Sequence, residues 1–180
     1  MRKGLYIGSF DCFHNGHLDV LKQALPFFDE ILVVIGNNPM KKRRFTVGSS
    51  KQYIEKCISE CFNKEDAKKI TVDYTDDLAV VYAKNNGCSH IIRGIRNSFD
   101  YAYEKNIFVS SQVIDMDINY VYFLTNLPHI SSTMINELME RDMVDVLLKD
   151  FLPCKFNCLM SQEYYDTVIR PSVWGESDDL

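Results

Sequence analysis

The stretch LYIGSFDCFHNGHLDVLKQAL, residues 5–25, passes from a short apolar segment through a polar loop into a helical pattern. The apolar run LYI is typical of the inner part of a β-strand. Leu18, Leu21 and Leu25 then recur at the three- and four-residue spacing of one helix face. A strand that leads directly into a helix is the first half of a βαβ unit, so this stretch predicts an α/β fold.

The same alternation continues along the chain. Helical patterns separate four more segments with strand character, and the first of these is apolar throughout, as in a strand buried on both faces. The pattern predicts a single Rossmann-like domain with a five-stranded parallel sheet flanked by helices on both faces. We assign residues 1–152 to this domain and expect 153–180 to be a C-terminal extension that is partly disordered. The four segments are EILVVIG (30–36), KITVDY (69–74), SHIIRG (89–94) and NYVYFLT (119–125).

Capping residues indicate where two of the intervening helices begin or end. Asp76 or Asp77 is expected to cap the N-terminus of a helix that Gly87 ends. Ser131 or Ser132 is expected to cap the last helix of the domain. Both helices would then begin shortly after a strand.

Composition excludes several classes of function. The net charge is −5, which argues against broad nucleic-acid binding because such binding requires a basic surface. No apolar run approaches the roughly 18 residues of a membrane span, and the N-terminus lacks the pattern of a signal peptide. We therefore expect a cytoplasmic protein with no membrane or nucleic-acid partner. The cation cluster KKRR at 41–44 still suits a small anionic ligand.

The six cysteines are expected to be reduced thiols. Cys57 and Cys61 have the same four-residue spacing as Cys154 and Cys158, so these four could together ligate zinc. The alternative is that Cys57 and Cys61 lie on a buried helix face, where cysteine behaves as a small apolar residue.

Polar loops follow the strands, and ligands of open parallel sheets bind beyond the carboxyl ends of the strands. In the first loop, GSFDCFHNGH at 8–17, His14 and His17 lie three residues apart before a helix. They could hydrogen-bond a phosphate at the helix N-terminus, ligate zinc with His90 or His129, or cap the helix. Spacing alone leaves these three interpretations open.

Three other loops carry groups that suit an anion. NNPMKKRRFT (37–46) offers cations, IRGIRN (92–97) offers arginines, and TNLPHISST (125–133) offers hydroxyls before a helix. The first and last of these also fit a solvated surface and an ordinary helix cap. Four such loops at one edge of a sheet together predict a site for a nucleoside triphosphate and a second anionic substrate.

The arginines of the loop IRGIRN have two interpretations. Arg93 and Arg96 could each bind phosphate oxygens through the rigid fork of the guanidinium. They could equally form structural ion pairs with Asp100 or Glu104 of the following helix.

Taken together, these loops resemble a known family. GSFDCFHNGH is similar to the (T/H)xGH signature of the nucleotidyltransferase superfamily, and ISST to its later serine motif. FDEILVVIGNNPMKKRRFT, IIRGIRNSFDYAYE and ISSTMINEL resemble segments of phosphopantetheine adenylyltransferases, and the most specific pattern is IRGIRxxxDxxYE. The resemblance implies transfer of AMP from Mg-ATP to 4′-phosphopantetheine, which gives dephospho-CoA and pyrophosphate in the penultimate step of coenzyme A synthesis.

Matched motif by motif, the resemblance also implies roles for individual residues. His17 would contact the α-phosphate of ATP, Lys41 the reacting phosphates, and Arg93 the phosphopantetheine. The residues implied to be catalytic are therefore His17, Lys41 and Arg93. Those implied to hold phosphopantetheine are Ser9, Lys41, Leu78, Ala79 and Arg93, and those implied to hold ATP are Ser9, Phe10, His17, Gly94, Arg96, Glu104, Ser131, Ser132 and Thr133.

The implied chemistry asks little of the protein beyond positioning. The nucleophile is a phosphate monoester that is largely ionised near pH 7, so no general base is required. Mg²⁺ bound with ATP would bridge phosphate oxygens and take few protein ligands. The resemblance further implies a homohexamer and CoA as a feedback ligand. Where the family usually has a proline, this chain has Cys12, and VGSSKQ departs from the family pattern after FT.

Three other functions are alternatives at this point. A nicotinamide mononucleotide adenylyltransferase normally carries ISSTxxR, whereas Asn136 stands at the position of that arginine. The others are a nucleotide- or CoA-binding module without catalysis and a zinc-binding interaction protein. Pyrophosphate release with different substrates would test the first two, and metal analysis would test the third.

Overall fold

The computed structural model describes residues 1–37, 43–141 and 143–153. Over these ranges strands and helices alternate as predicted, and no helix in them is both long enough and apolar enough to cross a membrane. The strands are β1 (Lys3–Gly8), β2 (Glu30–Gly36), β3 (Ile70–Thr75), β4 (His90–Ile95) and β5 (Asn119–Leu124). The helices are α1 (Asn15–Ala24), α2 (Val47–Cys61), α3 (Lys64–Ala67), α4 (Ala79–Asn85), α5 (Ser98–Ile114), α6 (Ser132–Glu140) and α7 (Val144–Val146).

The five strands form one parallel sheet in the order β3-β2-β1-β4-β5, which confirms the predicted α/β fold. At its centre, Leu5 of β1 pairs with Leu32 of β2 on one side and with Ile91 of β4 on the other. The chain builds outward from β1 to β3 and then crosses back to β4. The order therefore reverses between β1 and β4, and ligands of open α/β sheets bind at such a reversal, beyond the carboxyl ends of the strands.

Alternating side chains of the central strands create a core on each face of the sheet. Tyr6 and Val33 are buried on the face covered by α1, α2 and α6. Leu5 and Val34 are buried on the opposite face, under α4. Helix α5 lies beside α4 and against β4. Helices thus cover both faces of the sheet, as the uninterrupted apolar run of β2 predicts.

Close packing of α1 on β4 depends on Gly94. A Cβ atom built on Gly94 would lie 2.8 Å from Cγ2 of Val20, closer than real Cβ contacts come. His14 caps α1 and His17 lies in its first turn, so this packing also helps to position both histidines. The glycine of the IRG segment therefore has a packing role in addition to the ligand role predicted for it.

The predicted cap of α4 is wrong. The N-cap residue is Leu78, and no side chain bonds to the first turn. Asp76 instead accepts a hydrogen bond of 2.7 Å from Nδ2 of Asn37, which joins the loop after β3 to the end of β2. Gly87, with φ of 67°, ends this part of the chain in the left-handed conformation expected of it, and Ser131 is the N-cap of α6 as predicted.

The segment after α6 packs back onto the start of α1. A π-helical turn at Leu147–Phe151 follows α7, and Leu152 is fully buried. The side-chain amide of Asn15 donates to the carbonyl oxygens of Asp150, at 3.2 Å, and Leu152, at 3.0 Å. Residues 154–180 lie outside the described part of the chain, so the expected C-terminal extension stays a prediction.

Candidate functional site

The two histidines of the first loop cap α1 reciprocally. His14 is the N-cap residue, and its Nδ1 accepts from the backbone N–H of His17 at 3.3 Å. The backbone N–H of His14 donates in turn to Nδ1 of His17, also at 3.3 Å. The rings stack with their centroids 3.6 Å apart. Since both Nδ1 atoms accept, the hydrogen-bond network assigns the proton of each neutral ring to Nε2.

The surroundings keep both imidazoles neutral. Burial, reinforced by the nearby Arg96, lowers the pKa of His14 to about 3. Burial also lowers the pKa of His17 well below its usual value, with further contributions from His14, Arg96 and Arg93. His17 nevertheless retains part of its exposed surface. It therefore offers a neutral N–H donor, at the N-terminus of a helix that already favours anions.

A tight turn after β1 places an aromatic ring beneath this histidine. Phe10 adopts φ of 43°, which is uncommon for a residue with a side chain, and its ring is almost fully buried. The ring meets His17 edge to face, with centroids 4.9 Å apart. Ser9 is left exposed beside it. Of the two residues predicted to contact ATP here, Ser9 can use its hydroxyl, whereas Phe10 has only its backbone available.

Asp11 joins the first loop to the loop after β2. Its carboxylate oxygens accept from the backbone N–H groups of Arg44, at 2.7 Å, and Phe45, at 2.9 Å. Sequence reasoning gave this acid no role, although it stands inside the quoted motif. Arg44 and Phe45 are thus held at the same end of the sheet as the histidines.

Both arginines of the IRGIR segment form ion pairs with α5. Arg93 donates through Nε to Oε2 of Glu104 at 2.8 Å and through Nη2 to Oε1, and its Nη1 donates to the carbonyl oxygen of Ile7. Arg96 binds both carboxylate oxygens of Asp100, at 2.8 and 3.0 Å. The interpretation of both arginines as members of structural ion pairs is therefore observed. Each terminal nitrogen of Arg93 still has one N–H that bonds to no described residue.

The serine motif lies against the histidine cap. A Cβ atom on Gly16 would meet the ring of His14 at 3.2 Å and the carbonyl oxygen of Ile130 at 3.5 Å. Ser131, the next residue, caps α6 by accepting from the backbone N–H of Met134 at 3.2 Å. The hydroxyls of Ser132 and Thr133 bond to no other described side chain or backbone group, and both residues are at least partly exposed. They remain available to a ligand.

An acid outside the predicted site fixes the loop that leads to this motif. Asp19 of α1 accepts from Oγ1 of Thr125 at 2.9 Å and from the backbone N–H of Asn126 at 2.7 Å. It also accepts from the side chain of Gln23. No sequence signal identifies this acid, because its partners are more than 100 residues away along the chain.

Three predicted residues remain: Lys41, Leu78 and Ala79. Lys41 lies outside the described residues. Leu78 and Ala79 follow β3, two strands away from β1, and Leu78 is exposed. They occupy the same edge of the sheet as the histidines, where a long substrate could reach them. Their predicted role stays a prediction.

The described residues contain no group of three or more histidine, cysteine or acidic side chains arranged to hold a metal ion. His90 begins β4 and so lies at the opposite edge of the sheet from His14 and His17, which excludes it as a shared ligand. Cys57 is buried on α2, and burial raises the pKa of its thiol to about 12. The cysteines at 154 and 158 lie outside the described residues.

Comparison with known proteins identifies a family model and several relatives. Residues 5–138 match the family model described as cytidylyltransferase-like. A phosphopantetheine adenylyltransferase of Cytophaga hutchinsonii is 36% identical over 153 residues, which cover 84% of this chain and 96% of that protein. One of Nautilia profundicola is 32% identical over 77% of this chain and 87% of its own length. One of Streptococcus pyogenes is 36% identical, with coverages of 76% and 82%.

Solved structures share the fold at lower identity. A bifunctional NMN adenylyltransferase/ADP ribose pyrophosphatase of Francisella tularensis, complexed with AMP and a manganese ion, superposes with a TM-score of 0.67 at 19% identity. The match covers 96% of this chain and 52% of that one. A Plasmodium falciparum nicotinic acid mononucleotide adenylyltransferase gives a TM-score of 0.64 at 16% identity, covering 92% and 97%. At such identities the likeness concerns the fold alone.

Proposed function

This chain belongs to the phosphopantetheine adenylyltransferase family, and we propose that it transfers the adenylyl group of ATP to 4′-phosphopantetheine, forming dephospho-CoA and pyrophosphate. The observation that carries the proposal is the reciprocal histidine cap. It gives His17 a fixed, neutral Nε2–H donor at the N-terminus of α1, beside the reversal of strand order between β1 and β4. That is where an open α/β sheet binds a nucleotide.

The reaction is an in-line displacement at phosphorus without a covalent enzyme intermediate. A phosphate oxygen of phosphopantetheine forms a bond to the α-phosphorus of ATP while the bond to the pyrophosphate oxygen breaks. The nucleophile is already an anion, so no proton has to be removed. The protein's task is to hold two anions in line, which contributes about 7–11 kcal/mol in well-oriented systems. His17 donates to the α-phosphoryl oxygens on which charge develops.

The neighbouring elements would hold the two substrates. The free hydroxyls of Ser132 and Thr133, at the N-terminus of α6, suit the triphosphate of ATP. The two remaining N–H groups of Arg93 suit the phosphate of phosphopantetheine. Glu104 acts through Arg93, because both of its carboxylate oxygens accept from that guanidinium. Lys41 completes this proposal as a cation on the reacting phosphates.

Mg²⁺ would arrive with ATP rather than in a site of its own. Three carboxylates near the proposed phosphate site are already engaged: Asp11 with backbone N–H groups, and Asp100 and Glu104 with arginines. This donor set fits an ion that is held mainly by phosphate oxygens and water, as Mg²⁺ commonly is. When bound, the ion would offset part of the charge of the triphosphate.

An apolar surface on α5 and β5 supports self-association. Phe99, Tyr103, Val109 and Val113 are more than half exposed on α5, and β5 is an edge strand of the sheet. Large exposed apolar side chains that are concentrated on one element favour an interface there. We propose a homohexamer in the cytoplasm, with this α5–β5 surface at a subunit contact. CoA, which contains the product dephospho-CoA, is proposed to bind the same site as a feedback ligand.

Pyrophosphate release tests the activity directly. We expect release with ATP, Mg²⁺ and 4′-phosphopantetheine, and much less when CTP replaces ATP or nicotinamide mononucleotide replaces phosphopantetheine. Formation of dephospho-CoA is checked by mass. Pyrophosphate release with ATP and nicotinamide mononucleotide, but not with ATP and phosphopantetheine, would overturn the proposal in favour of a related adenylyltransferase. CoA binding without any pyrophosphate release would point to a binding module.

A further inference from the structure

Arg44 belongs to the loop after β2, but its side chain reaches α6. Nη1 of Arg44 donates to Oδ1 of Asn136 and lies 3.3 Å from Sδ of Met139. Its backbone N–H is held by Asp11 at 2.7 Å. The residue is therefore anchored to the first loop by its main chain and to α6 by its side chain.

The guanidinium of Arg44 has only neutral side-chain partners. In the described part of the chain it forms no ion pair, whereas Arg93 and Arg96 are each bound to a carboxylate. The nearby carboxylate of Asp11 is occupied by two backbone N–H groups. Arg44 is also partly buried. A guanidinium that is partly removed from water and has no carboxylate partner gains from a negatively charged one, so this cation is suited to an anionic ligand.

Asn136 holds the guanidinium of Arg44 on the face of α6 that also carries the serine motif. Asn136 follows Ser132 by four residues and Thr133 by three, so the three side chains share one face of the helix. Four residues correspond to a rise of about 6 Å along the helix axis. The guanidinium of Arg44 touches this face of α6 between Asn136 and Met139, so it lies about one to two turns from the free hydroxyls of the motif.

We propose that Arg44 binds the β- and γ-phosphates of the nucleotide, and the pyrophosphate that leaves, while Asn136 positions its guanidinium on α6. The identity of the nucleotide rests on the function proposed above. Arg44 contacts the terminal phosphates only. It therefore predicts an effect on ligands that contain a diphosphate and none on a nucleoside monophosphate.

Calorimetric binding of ATP, AMP and pyrophosphate separates this role from a structural one. Arg44→Met should weaken ATP and pyrophosphate about tenfold or more and leave AMP within about twofold. The matched control is Arg43→Met, because Arg43 is also partly buried with only neutral partners but bonds to the carbonyl oxygen of Phe45 and to Ser50 of α2 rather than to α6. The control should bind all three ligands as the wild type does. Should Arg44→Met unfold, Arg44→Gln removes the charge with less change in shape.

A double variant that moves the guanidinium from position 44 to α6 provides a second test. Arg44→Met combined with Asn136→Arg places a guanidinium on the same face of α6, and we expect it to recover most of the lost ATP affinity. Equal weakening of AMP and ATP by Arg44→Met, or no change in either, would overturn the proposal. The wild type could release no pyrophosphate with phosphopantetheine while Arg44→Met still weakens ATP binding but not AMP binding. In that case the proposed function fails and the role of Arg44 stands.

Discussion

Nδ1 of His14 accepts from the backbone N–H of His17, and Nδ1 of His17 accepts from the backbone N–H of His14, both at 3.3 Å. The usual version of this reciprocal cap pairs a serine or threonine with a glutamate or glutamine three residues on. Two imidazoles can do the same and still keep Nε2–H as a donor. A single pair of residues therefore both begins α1 and supplies the proposed donor to the α-phosphate.

The dual role of His17 can be separated by choice of substitution. His17→Gln keeps an oxygen that can accept from the backbone N–H of His14, as glutamine does in an ordinary capping box. Because its amide N–H does not occupy the position of the imidazole Nε2–H, this variant should retain most of the thermal stability of the wild type while kcat falls about 10²- to 10³-fold, the usual effect of losing one preorganised donor. Steady-state pyrophosphate release and thermal unfolding measure the two quantities.

The companion variant His17→Ala should lose both the cap and the donor. Its kcat should match that of His17→Gln, while its melting temperature is lower. ATP affinity, measured by calorimetry, should change far less than kcat in either variant. An equal loss in affinity and in kcat would show that His17 contributes to ground-state binding and not to the transition state.

The buried His14 should make stability depend on pH. Its folded-state pKa is about 3, against 6.5 normally. As the pH falls below 6.5, the unfolded chain takes up a proton that the folded chain does not, so the stability that is complete above 6.5 declines towards pH 3. At pH 5 this histidine should cost about 2 kcal/mol, and the lowered pKa of His17 acts in the same direction.

Urea unfolding at pH 7.5 and at pH 5 measures that loss. His14→Asn is the matched variant, since asparagine is a good N-cap but has no proton to bind in this range. The variant should lose about 2 kcal/mol less than the wild type between the two pH values. The same loss in both proteins would place the pH dependence elsewhere.

Local patterns of apolar residues were enough to predict much of the fold. The run EILVVIG coincides with β2 at Glu30–Gly36, because an uninterrupted apolar segment has few alternatives to a strand buried on both faces. The cap predicted at Asp76 or Asp77 was wrong, since Asp76 bonds instead to Asn37 on a neighbouring loop. A capping residue competes with every partner that the fold brings near, and the sequence does not list those partners.

The sequence predicted which end of the sheet carries the candidate residues, but it did not predict the hydrogen bonds between them. Spacing placed His14 and His17 before a helix and could not choose among cap, phosphate and zinc, because that choice depends on where the ring nitrogens point. The four cations at 41–44 look alike in sequence. The structure distinguishes Arg44 from Arg43 only through contacts with different helices, one of which lies more than 90 residues further along the chain.

The packing of α1 on β4 yields a stability prediction. Gly94→Ala places a methyl group 2.8 Å from Cγ2 of Val20. Overpacking of this kind costs about 1–3 kcal/mol. Val20→Ala opens the space, so the double variant should be more stable than the sum of the two single losses predicts. Urea unfolding of all four proteins measures this coupling, and strict additivity would show that the two side chains do not compete for space.

The α5–β5 surface predicts the state of the protein in solution. Light scattering should give a mass about six times the 20.9 kDa of the chain if the proposed hexamer forms. Val113, which is 85% exposed on α5, is the site for disruption, because a charge there would be desolvated in the contact. Val113→Glu should therefore yield smaller species. Tyr74→Glu is the control, since Tyr74 is exposed on β3, which is the outer strand on the opposite side of the sheet from β5. A wild type that stays monomeric at micromolar concentration would exclude the assembly, and dissociation by Tyr74→Glu alone would move the contact to the β3 edge.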